Sequence, residues 1–198
     1  YRLAHMALAA FLVSGLLVAA TAAWHLLKGR RDALVKKSFS MAMWMILALA
    51  PLQMFVGDLH GLNTLEHQPA KLAAIEGHWE TNKDHGMPLY LFGIPDMEAE
   101  ETKYAIGIPN LGSLIMTHTM DGEVKGLKEF APEDRPNSTI VFWSFRIMVG
   151  MGVLMILLAL FGLWLRKKGT FYDSKWLHKF ALYMGPSGFI ALLAGWFT

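Results

Sequence analysis

The chain has 198 residues, of which 54% are hydrophobic and 17% charged, with a mean hydropathy of +0.35, too apolar for an average soluble domain and typical of a polytopic membrane protein. It contains no cysteine, which excludes disulfides, thiolate metal sites and iron–sulfur clusters within it. The formal net charge of +2 conceals an uneven distribution that governs topology and leaves no basic surface calling for a nucleic-acid partner.

Apolar residues collect in four blocks, Leu3 to Leu27, Phe39 to Val56, Thr139 to Leu165 and Phe180 to the end. Each is near the ~20 residues that cross a hydrocarbon core. The expected fold is therefore all-α, a polytopic membrane helix bundle of about four transmembrane helices with a large extracytoplasmic loop. Residues 1–57 would supply two helices, 58–138 the loop, and 139–198 two more, the last truncated. The chain opens at Tyr1 inside an apolar run and stops at AGWFT before any polar flank, so it reads as an internal piece of a longer protein. The opening run is too long for a signal peptide and lacks a small-residue cleavage site.

The connectors 28–38 and 166–179 each carry five basic residues against one acid, whereas 58–138 holds 14 acidic and 6 basic residues. Short basic connectors belong on the cytoplasmic side, which places the acidic segment outside.

The first helix is rich in Ala, Gly, Ser and Thr, residues that let helices approach closely in lipid. His5 precedes its basic end by about 22 residues, or ~33 Å, near the outer surface. It could ligate a metal or haem, or be an interfacial, hydrogen-bonded His. Trp24 and His25 lie at the opposite interface. The second helix, interrupted by Pro51 and rich in Met, delivers the chain to Gly57 and Asp58.

There the sequence turns polar: GDLHGLNTLEHQPAKLAAIEGHWE. Pro69 suits the first turn of a short helix running through AKLAAIEGHWE. At 100° per residue Leu72, Ile75 and Trp79 fall within ~60° of one another, with Lys71 and Glu76 on opposite flanks. Those two could both touch a flat amphipathic ligand lying on the stripe, or be solvated charges on a surface helix. The spacings of His60, His67, His78 and His85 match no metal-ligand template. From Gly86 to Asn137, Gly and Pro recur too often for long regular elements, and the length suits a functional loop.

The third helix carries Arg146 about seven residues inside its outer end, ~10 Å deep. A buried cation calls for an anion, which a protein carboxylate or a haem propionate would supply; snorkelling to the interface is the other solution. Met148, Met151 and Met155 align on one face, as packing residues do, and Met148 shares the outer half of the membrane with His5. The fourth helix follows KWLHKF, with a kink expected at GPSG.

Taken together, RLAHMALAAFLVSG with AAWHLLKGR, GDLHGLNTLEHQPAKLAAIEGHWET, LFGIPD, FWSFRIMVG and ALLAGWF resemble subunit I of the bacterial cytochrome bd-type quinol oxidases, in the family's order and over essentially the whole chain. The wording of the polar segment and its compact length are similar to the short-loop, cyanide-insensitive branch. The resemblance implies that His5 and Met148 are the axial ligands of a low-spin haem b, that Arg146 lies beside this haem, and that Trp196 stands among the haems. It implies that Lys71 and Glu76 serve quinol oxidation at the outer loop; the protons released there call for a carboxylate, Glu76 or another of the loop such as Glu80. A terminal quinol:oxygen oxidoreductase of the bacterial inner membrane follows, with ubiquinol or menaquinol as substrate. The high-spin haem b and haem d would be held by missing parts of subunit I, with subunit II and membrane lipid as further partners. The alternative is a non-catalytic haem-binding electron-relay or assembly membrane protein.

Overall fold

A computed structural model describes residues 2–82 and 85–198. It is mostly helical, and four helical stretches are long and apolar enough to cross a membrane by length and composition. The chain divides into two compact units, residues 1–57 with 147–193 and residues 58–146 with 194–198.

The first unit is built on helix α1 (Arg2–Leu27), the start of α2 (Ala33–His67), most of α5 (Ser138–Lys167), α6 (Lys175–Tyr183) and most of α7 (Ser187–Phe197). Helix α1 and the α5 span are apolar on nearly every side, so polarity does not decide which face is buried. Small residues such as Ala19, Ala23 and Ala42 face inward with Leu16, Phe39, Ile46 and Leu158. Leu3, Phe11, Met41 and Leu157 face outward, as a lipid-facing surface allows. Helix α7 approaches α1 so closely that a Cβ at Gly188 would fall 2.9 Å from the Val13 Cα; a larger residue would push the backbones apart. At the basic end, Arg166 donates Nη2 to the Ser40 hydroxyl at 2.8 Å and lies 3.8 Å over the Phe171 ring. Phe171 in turn meets Phe39 at 5.0 Å between ring centroids. The expected kink at GPSG is a full break between α6 and α7, because Pro186 has no N–H to continue the helical ladder. The Ser187 hydroxyl donates to the Met184 carbonyl at 2.6 Å.

Two expectations change. Helix α2 does not end at Val56 but continues through GDLHGLNTLEH to His67. No proline interrupts this stretch before Pro69, and Thr64 bonds back to the His60 carbonyl at 2.9 Å, a contact compatible with helix. The segment after Gly86 is also more regular than its Gly and Pro content suggests. Strands β1 (Leu89–Asp96) and β2 (Glu101–Ile108) form an antiparallel hairpin, in register from Leu89 opposite Ile108 to Asp96 opposite Glu101, with shifts around Phe92. Those irregularities accommodate Gly93 without ending the ladder. The hairpin turn is fixed by Asp96, whose Oδ1 accepts from the Glu98 and Ala99 amides at 3.0 Å each, while Lys103 Nζ donates to Oδ2 at 2.6 Å. A short helix, α4 (Leu111–Thr117), and 3-10 turns at Leu127–Glu129 and Pro132–Asp134 complete the second unit together with α3 (Pro69–Glu76). The largely α-helical bundle thus carries a two-stranded sheet that the residue pattern does not announce.

Candidate functional site

Helix α3 starts with Pro69 in its first turn and ends at Gly77, held at φ 67°. The left-handed conformation lets the Gly77 amide reach the Ala74 carbonyl at 3.3 Å and the His78 amide reach Ala73 at 3.0 Å, satisfying carbonyls the helix leaves open. This early stop folds Trp79 back against the same core as Ile75. Leu72, Ile75 and Trp79 are all buried. The apolar stripe is therefore core, neither an open surface on which a flat ligand could lie nor, at Glu76, the face of a surface helix with solvated charges.

Glu76, the last residue of α3, is 1% exposed. Its Oε2 accepts from Arg146 Nη2 at 3.3 Å, and Oε1 has no hydrogen-bond partner among the described residues. Burial pushes its carboxyl above the usual range, a shift that the Arg146 charge opposes but does not cancel.

Arg146 is the clamp of this region. Its Nε and Nη2 donate to the Tyr90 carbonyl at 2.8 and 2.6 Å, and Nη1 donates to the Ile75 carbonyl at 2.6 Å. The guanidinium also lies 3.4 Å from the centre of the Phe142 ring. One side chain from α5 thus ties together the end of α3 and the start of β1. Of the two anions expected for Arg146, the structure supplies the protein carboxylate.

Beside this pair, His78 stacks on Tyr90 with centroids 4.9 Å apart and planes 7° apart. Because the Pro88 carbonyl can only accept, His78 Nε2 carries the proton and donates to it at 3.1 Å. Burial holds the imidazole below its ordinary value, so it is neutral at physiological pH. His78, Trp79, Glu80, Tyr90, Thr102 and Lys128 help line a cleft of about 320 Å³. Glu80 is exposed and paired with Lys128, whereas Trp79 Nε1 is buried with no hydrogen-bond partner among the described residues. Lys71 is half-buried on α3. Trp196, on α7, is 69% exposed.

The two candidate iron ligands belong to the other unit. His5 on α1 and Met148 on α5 are each half-buried. Gln53 Nε2 on α2 donates to His5 Nε2 at 3.1 Å, since an amide nitrogen cannot accept. Gly57 faces the imidazole, where a Cβ would come within 3.2 Å of His5 Cε1. An imidazole and a thioether form a donor set suited to a low-spin haem, and the missing side chain at Gly57 leaves the imidazole its room. These donor types and the space beside Gly57 suit that group. Among the described residues no group of three or more His, Cys, Asp or Glu is placed to hold a metal ion.

Reading the sequence missed the Glu76–Arg146 pair and the His78–Tyr90 stack. The requirement for an anion near Arg146 pointed to the pair, but nothing in the spacing joins residues 70 positions apart. Neither Gln53 nor Trp79 carried a separate signal.

Comparison with known proteins places the chain firmly. A profile describing cytochrome bd terminal oxidase subunit I matches residues 1–198. The chain is 34% identical to the cytochrome bd ubiquinol oxidase subunit 1 of Bacillus subtilis, over 97% of this chain and 43% of that protein. It is 26% identical to the cytochrome bd-II ubiquinol oxidase subunit 1 of Escherichia coli, over 98% and 50%. The structure of bd oxidase from Geobacillus thermodenitrificans superposes with a TM-score of 0.84 and 31% identity, over 97% of this chain and 44% of that one. The chain spans about half or less of the length of these relatives. The alignment with the E. coli protein runs over 260 residues and that with the B. subtilis protein over 203. The former therefore carries insertions that the latter lacks relative to this chain.

Proposed function

The chain belongs to the cytochrome bd terminal oxidase subunit I family, and from that premise we propose that it is the quinol-oxidising part of a membrane quinol:oxygen oxidoreductase. The observation that carries this reading is Glu76, a buried carboxylate with a raised pKa and one oxygen without a hydrogen-bond partner among the described residues.

Oxidation of a quinol to a quinone releases two electrons and two protons. A proton acceptor poised near the working pH is efficient in such a reaction, and burial moves Glu76 in that direction. Arg146 limits the shift and fixes the carboxylate through bonds to neighbouring carbonyls. Lys71, five residues earlier on α3, supplies a hydrogen bond to a quinol oxygen. Glu80, exposed beside the cleft, takes protons onward to solvent. With the acidic segment on the outer face, those protons leave outside.

His5 and Met148 would hold the low-spin haem b. That group would supply a one-electron acceptor for the electrons released by quinol. Arg146 beside this haem and Trp196 among the haems remain roles carried by the resemblance. The high-spin haem b and haem d belong to other parts of subunit I, with subunit II and lipid completing the assembly in the bacterial inner membrane. The relatives include both proteins named as ubiquinol oxidase subunits and one named as a putative menaquinol oxidase subunit, and either quinol suits the chemistry.

The test is steady-state quinol oxidation by the full-length oxidase carrying Lys71→Gln, Glu76→Gln or both. Loss of a positioned acid–base group lowers kcat by about 10²- to 10⁴-fold. Unchanged turnover in the double variant would instead favour the non-catalytic reading, with the outer segment serving as a binding surface.

A further inference from the structure

A groove in the first unit is lined by none of the residues given a functional role above. It has a volume of about 350 Å³ and runs between α1 and α2. Its α1 wall repeats every fourth residue: Leu17, Thr21 and His25 form one row, with Val18 beside it. From Leu17 to the end of α1 at Leu27 the helix rises ~15 Å, so the groove extends from within the apolar span to its basic end.

The two ends differ chemically. At the deep end Leu17 and Val18 are 42% and 45% exposed, an apolar channel open on one side; across the groove Leu34, in the first turn of α2 beside the basic connector, is 69% exposed. Thr21 does not make it polar, because its hydroxyl is spent on the Leu17 carbonyl at 2.9 Å. At the shallow end stand His25 and Arg30, within a connector that carries five basic residues against Asp32. That acid divides itself between the α2 cap and Arg30, whose Nε it occupies. Asp32 Oδ1 caps α2 by accepting from the Val35 amide at 3.0 Å, and Oδ2 accepts from Arg30 Nε at 2.6 Å. The Arg30 side chain remains 54% exposed, and a guanidinium is suited to phosphate oxygens.

An apolar slot ending in a cationic mouth at the level of the membrane interface is complementary to one kind of occupant. We propose that this groove binds an anionic phospholipid, with an acyl chain along Leu17, Val18 and Leu34 and the phosphate at Arg30 and His25. A soluble phosphate has no use for the apolar channel. A zwitterionic lipid would bring its own cation to a mouth that is already positive.

The test uses the full-length oxidase with its partner subunit in nanodiscs of phosphatidylethanolamine and phosphatidylglycerol, with bound lipid counted by native mass spectrometry. Wild type is expected to retain phosphatidylglycerol selectively. Arg30→Gln should retain it roughly fivefold less well, and Thr21→Trp, which fills the channel, should lose it. Both variants keep the haem spectrum and quinol oxidation of wild type, which separates this site from the quinol chemistry. Equal retention in wild type and both variants, no preference for the anionic lipid, or a protein helix seated in the groove of the assembled oxidase would each overturn the proposal.

Discussion

Replacing Arg146 with Met, which approximates its length without its charge, leaves the Glu76 carboxylate in a site where it is 1% exposed. At 3.3 Å an effective dielectric near 20 gives a gross attraction of about 5 kcal/mol, much of it offset by desolvation of the two groups. Removing one partner is therefore more damaging than the net worth of the pair: an uncompensated buried charge costs about 3–5 kcal/mol. Because each 1.4 kcal/mol is tenfold in an equilibrium, local opening of α3 should become more frequent by roughly two orders of magnitude or more. Hydrogen exchange of the segment 69–80 in the full-length oxidase measures that opening. Adding Glu76→Gln to Arg146→Met removes the stranded charge and should restore much of the protection, although the Tyr90 and Ile75 carbonyls still lack their donor. The pH dependence has a definite sign. The folded pKa of Glu76 lies above its unfolded value of ~4.3, so its contribution is fully favourable below that value and is lost as pH rises through the folded pKa. Without Arg146 to hold it down, that pKa rises further, and Arg146→Met should recover stability relative to wild type on acidification. Wild-type exchange in Arg146→Met at neutral pH, or no rescue by the second substitution, would refute the reasoning.

Two further expectations concern the frame around this pair. Gly77→Ala forces a Cβ into a left-handed residue and to 2.9 Å from the Phe142 ring; it should destabilise the end of α3 by at least about 1 kcal/mol, read as faster exchange of the His78 amide. Asp96 is held down to about 2 by its bonds from Lys103 and the Ala99 and Glu98 amides. Its depressed pKa means that its contribution to the hairpin is present above the unfolded value of ~3.9 and is lost as pH falls through about 2. Asp96→Ala should accordingly raise amide exchange at Glu98 and Ala99 at neutral pH, and that difference from wild type should shrink in strong acid.

The membrane frame was legible because hydrocarbon imposes a simple requirement: long apolar runs, with polar connectors between them, leave little choice of element. Small residues such as Ala19 and Ala23 announced close helix packing for the same reason. The second unit was less legible. The sequence identifies Glu76 as one charge on a short amphipathic helix, but its burial depends on β1 and α5, which arrive from far along the chain. The hairpin was hidden because its Gly and Pro content matches a loop, while pairing between strands is decided by tertiary contacts. The continuation of α2 past Gly57 shows the opposite error: polarity signals an exit from lipid, but it does not by itself end a helix. His5 and Met148 were singled out through depth and resemblance together, since a half-buried histidine or a Met in a Met-rich helix is usually packing.

The central claim is that one chain segment joins quinol oxidation to a haem held by His5 and Met148. Its most direct test is the reduced-minus-oxidised optical spectrum of the full-length oxidase with His5→Leu and, separately, Met148→Leu. The account predicts that each substitution abolishes or shifts the low-spin haem b band while the bands of the other haems persist. An unaltered low-spin haem b band in both variants would contradict it.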